Sequence, residues 1–330
     1  MKQFLIGCIL FCVGCQPNVS FEYSTYWWKH NTQLSQQQKD FLIKNKIKKV
    51  YLKIFDLKWN EFNNTISLPK VQAKFEQENV KVYPVIYIEN KILLNFDLDT
   101  ILKLITHNVD LAVENGIVEN TNNLQVDCDW TISTKEKYFN LLILLSNYIE
   151  HLSATIRLHQ IKYVKATGVP PVEKGVVMIY NLDSPADTNI RNSIFSFEKA
   201  LLYLKGNLEH YPLQLDVALP AFSWGVHFHH GKIKSLIADF HPSDIDRENM
   251  VQKKNGYFKA KKAHFYNTHR ISIRDEIRYE HPYTHEVAKM MHYLNNYLNQ
   301  DSAEVIFFSL NSDFLINNKD SYEEIISTYK

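Results

Sequence analysis

The run Leu124-Gln125-Val126-Asp127-Cys128-Asp129-Trp130 sets two carboxylates into a stretch that otherwise reads as a buried strand. Residues two apart on a strand point the same way, so Asp127 and Asp129 share a face. Burying two adjacent like charges is costly. Barrel enzymes place such pairs at the carboxyl end of a strand, where the interior opens.

Outward from this run, short β-branched and aromatic segments alternate with amphipathic ones, the pattern of βα units around a parallel sheet. Strands are expected at 21–28, 49–57, 80–88, 124–130, 154–159, 176–182, 211–222 and 304–310. Ser35 with Gln38 forms a capping box that opens a helix. Further helices are expected over 69–79, from Ser133 with Glu136 at the third position, over 196–205 before Gly206, and a last one capped by Ser321 with Glu324. Eight strands in this order predict a (β/α)8 TIM barrel, an α/β fold. A small α+β insertion over about residues 224–283 falls between strands 7 and 8. A doubly wound open sheet is the alternative fold, but no glycine-rich phosphate turn is present.

The chain has 330 residues, 37 Lys and Arg against 36 Asp and Glu, and 45% hydrophobic residues. That near-balance points away from nucleic acid as a partner. Lys2 and the apolar run Phe4 to Val13 read as a targeting segment too short to span a bilayer. Gly14 stands directly before Cys15. Residues 1–14 therefore read as a signal peptide, 15–20 as a tether and 21–330 as the barrel domain. Cys8 and Cys12 would leave with the signal. Only Cys128 would then remain beside Cys15, which leaves no internal disulfide and no cysteine metal site.

The Gly14-Cys15 junction resembles a bacterial lipoprotein signal, with Cys12 where that pattern usually has Leu. The resemblance implies cleavage before Cys15, a lipid anchor on its thiol and an envelope location. Three further motifs resemble the family 18 glycoside hydrolases, the chitinase-like barrels. Asp127 and Asp129 match the first part of that family's Asp-x-Asp-x-Glu strand. Met178-Ile179-Tyr180-Asn181 is close to its Met-x-Tyr-Asp, and Leu219-Pro220-Ala221-Phe222 is similar to its strand 7. The chain also looks like bacterial lipoprotein barrels with an Asp-x-Asp strand. The family's acid position falls on Thr131, whose hydroxyl cannot protonate a leaving oxygen near neutral pH. What the resemblance implies is a carbohydrate ligand or substrate; a monomer without a cofactor is expected.

Asp127 and Asp129 are the candidate catalytic pair, because close carboxylates push their pKa values apart. Glu89, at the end of strand 3, is the best-placed spare carboxylate, ahead of Asp56, Asp183 and Asp216. Tyr180, Trp28, Trp130, His159 and Asp216 are candidate substrate-binding residues. For each there is a plainer alternative: core packing for the aromatics, and for His159 and Arg157 a simple pairing with the aspartates. The insertion is rich in histidine, including His227 and His229, but no recognised zinc spacing occurs, so no metal is expected. The expected function is that of an envelope-anchored, glycoside-hydrolase-like barrel acting on a glycan. The alternatives are an inactive glycan-binding barrel and a structural partner in an envelope complex.

Overall fold

The computed structural model describes residues 19–329. The signal and the lipidation position Cys15 lie outside the described residues. Eight parallel strands close on themselves: β1 (Ser20–Trp27), β2 (Lys49–Asn60), β3 (Lys81–Ile88), β4 (Asn123–Asp127), β5 (His151–Arg157), β6 (Lys174–Met178), β7 (Leu215–Pro220) and β8 (Ser302–Phe308). Each pairs with its sequence neighbours, and β1 pairs with both β8 and β2, which completes the barrel. The α+β insertion lies between β7 and β8, as expected. It holds a five-stranded antiparallel sheet and a two-stranded hairpin, His264–Tyr266 with His269–Ile271. Its helical part is two single 3₁₀ turns, Pro242–Asp244 and Lys254–Gly256.

The local chemistry shows why the helices start where they do. Ser35 and Gln38 form the reciprocal capping box before helix Gln36–Lys44. The longest helix, Leu98–Glu114, has no counterpart among the expected elements. Asp97 caps it by accepting from Thr100 N at 2.8 Å. Ile101, Ile105, Val109 and Ala112 form its buried stripe. Each such isoleucine or valine contributes about 1.5–3 kcal/mol by leaving water.

One expected helix is absent. Residues 69–79 are irregular, because their backbone pairs with β2 instead. Asp56 N donates to Pro69 O at 3.0 Å, and Val71 N donates to Ile54 O at 2.9 Å. Val71 and Phe75 then anchor the segment in the core. Several strands also end earlier than their apolar runs, the one expected to 182 stopping at Met178 among them, and two of these endings bear on the site. β4 stops at Asp127, so Asp129 sits in the loop that follows. β5 stops at Arg157, and His159 falls in the helix Leu158–Lys162.

A buried ion pair fastens the insertion to the barrel. Arg278 Nε donates to Glu280 Oε1 at 2.5 Å, and both side chains are fully buried. The guanidinium also donates to the carbonyls of Pro185 and Asp187, at 2.9 and 2.8 Å, in the loop after β6. Glu280 accepts from Ser193 N and from Trp224 Nε1, both at 2.9 Å, and from the Ser193 hydroxyl. Replacing Arg278 with Ala leaves Glu280 buried without its cation, which typically costs about 3–5 kcal/mol. Amide hydrogen exchange of the insertion strands under rising urea should show an insertion that opens at lower denaturant in Arg278→Ala than in the parent. Superimposable curves would contradict this clamp.

Candidate functional site at the barrel mouth

Register determines which side chains face the barrel axis. Tyr87 of β3 lies opposite Asp127, and Val85 opposite Gln125. Gln125 and Asp127 therefore point inward, where Gln125 accepts from the Tyr26 hydroxyl at 2.5 Å. Aromatic rings fill the axis around them. Tyr180 stacks on Phe308 at 5.1 Å, and Phe308 also meets Trp28 at 5.4 Å, Phe222 at 5.5 Å and Tyr26 at 5.6 Å.

Asp127 is 8% exposed and accepts from Thr155 Oγ1 at 2.7 Å. Burial pushes its pKa up to about 6, and the Asp129 charge adds to that. The Thr155 hydrogen bond and the Arg157 and Lys53 cations oppose the rise. Asp129, two residues on, stands in a different setting. Arg157 grips it with Nε to Oδ1 at 2.7 Å and Nη2 to Oδ2 at 2.9 Å, a bidentate fork. The Asp129 side chain remains 45% exposed and that of Arg157 25% exposed, so the pair faces solvent. It borders a cleft of about 340 Å³ whose other walls include His159, Tyr180, Asn181 and Tyr203. These two settings give the carboxylates different characters: Asp127 is buried and proton-retaining, Asp129 paired and open.

The remaining candidates separate by position. His159 lines the cleft from its helix, with its pKa held below the ordinary value by partial burial and by the Arg157 charge. Tyr180 lines the cleft, and burial holds its hydroxyl well above the usual tyrosine pKa, so it stays protonated and can donate a hydrogen bond at neutral pH. Trp28 sits among the mouth aromatics, with the Lys53 ammonium 5.1 Å over its ring. Glu89 stands at the rim, where its carboxylate accepts from Trp59 N at 3.0 Å, and its charge acts on Tyr87 together with those of Asp127 and Asp129.

Two candidates are corrected by their packing. Trp130 is 1% exposed, stacks on Tyr138 at 5.2 Å and donates its indole N–H to Thr167 O, so no face remains for a sugar ring. Asp216 is the second residue of β7, at the opposite end of the barrel from the mouth. There it accepts from Lys174 Nζ at 3.0 Å and from Glu304 N at 2.7 Å, and Glu304 in turn binds Lys49 and the Tyr51 hydroxyl, both at 2.8 Å. It closes the barrel floor. In the insertion, His227 and His229 both bond Asp275, at 2.7 and 2.6 Å. Among the described residues no group of three metal-ligating side chains is placed to hold an ion.

Lys53 is the mouth residue that sequence reasoning missed. It is 6% exposed and binds Asp56 at 2.9 Å, which also pairs with Lys58 at 3.0 Å. Lys53 and Asp56 are three apart and would ordinarily point oppositely. A register shift between Lys53 and Phe55 turns them to one side. A lysine inside an apolar strand, followed by an aspartate, was the available signal.

No protein-family model matches the chain, and no curated protein matches it. Solved structures do. A class V chitinase mutant from Cycas revoluta, in complex with (GlcNAc)3, aligns with a TM-score of 0.54 over 93% of this chain and 99% of its own, at 14% identity. The spore cortex-lytic enzyme SleL of Bacillus cereus gives 0.51 over 93% and 74%, also at 14% identity. The chitinase ChiB from the chitin utilization locus of Flavobacterium johnsoniae gives 0.51 over 95% and 94%, at 11% identity. The barrel has the chitinase-like fold of glycoside hydrolase family 18. At these identities the likeness is one of fold.

The raised pKa of Asp127 makes a stability prediction. Between the unfolded value of 3.8 and about 6, the folded state retains a proton that the unfolded chain has lost. Stability therefore falls as pH rises through that window, by roughly 3 kcal/mol at most. In Asp127→Asn, chemical denaturation at pH 4 and pH 7 should lose this fall. An unchanged pH dependence would show that Asp127 ionises normally.

Proposed function

We propose that this protein is an envelope-anchored barrel that binds a glycan at its mouth and does not hydrolyse it by the mechanism of the chitinases it resembles. The observation that carries the reading is the state of the strand 4 end. In the register of the family motif, Thr131 occupies the acid position. Its hydroxyl lies within hydrogen-bond distance of Ser133 Oγ at 2.9 Å and of Thr134 Oγ1 at 3.2 Å, and it is no proton donor near neutral pH. The preceding carboxylate, Asp129, is held by Arg157.

What remains suits binding. The Asp129–Arg157 fork offers oriented donors and acceptors for sugar hydroxyls, and the Tyr180 hydroxyl and Asn181 lie across the same cleft. Trp28, Phe308 and Phe222 supply apolar ring surface deeper in the mouth. Several of the proteins that share the fold are named for chitin or spore cortex, both glycans. The Gly14-Cys15 junction supports tethering to an envelope membrane through lipid on Cys15. Among the described residues no helix is long and apolar enough to cross a membrane.

One observation favours a second reading. A buried aspartate with a pKa of about 6 has the character of a general acid. Hydrolysis with Asp127 as the acid would also require a nucleophile at the scissile bond, either a second carboxylate or the N-acetyl oxygen of the substrate itself.

A glycan-panel measurement separates these. The binding reading predicts retention of GlcNAc-containing oligosaccharides or peptidoglycan fragments with no reducing ends released. Asp129→Asn should weaken retention about tenfold or more, since it breaks a charge-assisted fork. Product release that disappears in Asp127→Asn, and that declines as pH rises above about 6, would establish the hydrolytic reading instead. Retention unchanged in Asp127→Asn and Asp129→Asn would reject the site. For the anchor, the expected result is globomycin-sensitive processing and membrane fractionation, both lost in Cys15→Ala. Membrane fractionation retained in that variant would overturn it.

A further inference from the structure

We infer that the anchor holds the barrel with its floor toward the bilayer and its mouth facing away, so that the ligand is a glycan strand lying beyond the membrane surface and not a saccharide linked to lipid within it. This rests on the lipid-anchor reading of Cys15, and adds to it a direction and a substrate class.

Strand polarity supplies the direction. All eight barrel strands are parallel, so every strand begins at the floor and ends at the mouth. The chain enters at the floor end of β1. Val19 is already buried, and Ser20 N donates to Asp301 O at 2.9 Å, so the protein is fastened to its barrel from residue 19 onward. Only Gln16, Pro17 and Asn18 lie between that point and Cys15. Fully extended, the path from Cys15 to Val19 spans at most about 14 Å.

The mouth is farther away than that. β2 has 12 residues and runs from the floor to beyond the mouth. At about 3.3 Å per residue and a strand tilt near 36°, it climbs roughly 30 Å along the barrel axis. Its hairpin with Thr65–Ser67 carries Phe62, fully exposed at the tip. The Asp129–Arg157 cleft opens at this same end, because β4 and β5 finish there. A three-residue tether on the floor thus keeps the floor close to the headgroups and the cleft a barrel's height above them. The floor end presents exposed Lys46, Lys48 and Lys81, together with Glu22 and Asp301, and none of these five makes an ion pair among the described residues.

Fluorophores attached at Lys48→Cys and at Phe62→Cys test the orientation in the processed, lipidated protein reconstituted into vesicles. Both positions are exposed, and Cys128, the free cysteine among the described residues, is buried. The vesicles carry a short-range nitroxide quencher on their headgroups. Quenching should be severalfold stronger at position 48 than at position 62, with the difference abolished when detergent dissolves the vesicles. Equal quenching at both positions, or stronger quenching at 62, overturns the orientation while leaving the anchor standing. Failure of the processed protein to float with vesicles overturns the anchor reading and this inference together.

Discussion

Closure of the parallel sheet is the constraint on which the rest of the structure depends. Because β1 pairs with both β8 and β2, no barrel strand keeps an open edge, and the inner faces of eight strands must fill one axis. Large rings do most of the filling: Tyr26, Tyr51, Tyr180, Phe222 and Phe308. Polar groups admitted to that axis must find partners there, since an unpaired buried charge is expensive. The two ends of the barrel meet this requirement differently, and that difference separates floor from site.

At the floor the charges neutralise one another within the protein. Lys49, Glu304, Asp216 and Lys174 form a linked set with Tyr51, in which both carboxylates are buried. At the mouth the pairing is incomplete. Asp127 accepts from Thr155 and retains a proton to about pH 6 because it is buried. Asp129 is paired but remains open to the cleft. A half-exposed ion pair beside a cleft is a surface that a polar ligand can join without stripping a charge of its partner. In the proposed reading, Thr131 stands where the chitinase-like motif has its acid, and the Asp129–Arg157 pair beside the cleft is what remains for recognition.

Much of this was legible in the sequence, for reasons visible in particular residues. Short, nearly continuous apolar runs located all eight barrel strands, because each must bury one face against rings and the other against helices. The capping box at Ser35 and Gln38 marked a helix start through chemistry that is entirely local. Long-range pairing was less legible. Pro69 reads as a helix opener, yet its carbonyl is taken by Asp56 N, a contact between distant segments. Trp130 and Asp216 carry the right side chains for a sugar site, but burial under Tyr138 and position at the floor are properties of the closed barrel. Lys53 escaped notice because its inward turn depends on a bulge, one irregular step in the β2–β3 register.

The central claim is that the mouth of this barrel, at the Asp129–Arg157 fork, is a glycan-binding site. A crystal structure of the protein grown with a GlcNAc oligosaccharide tests it most directly. The account predicts a sugar in the cleft, with ring hydroxyls on the Asp129–Arg157 pair and the Tyr180 hydroxyl, and with an intact glycosidic bond. An empty cleft at saturating oligosaccharide, or a sugar bound only elsewhere on the surface, would contradict it.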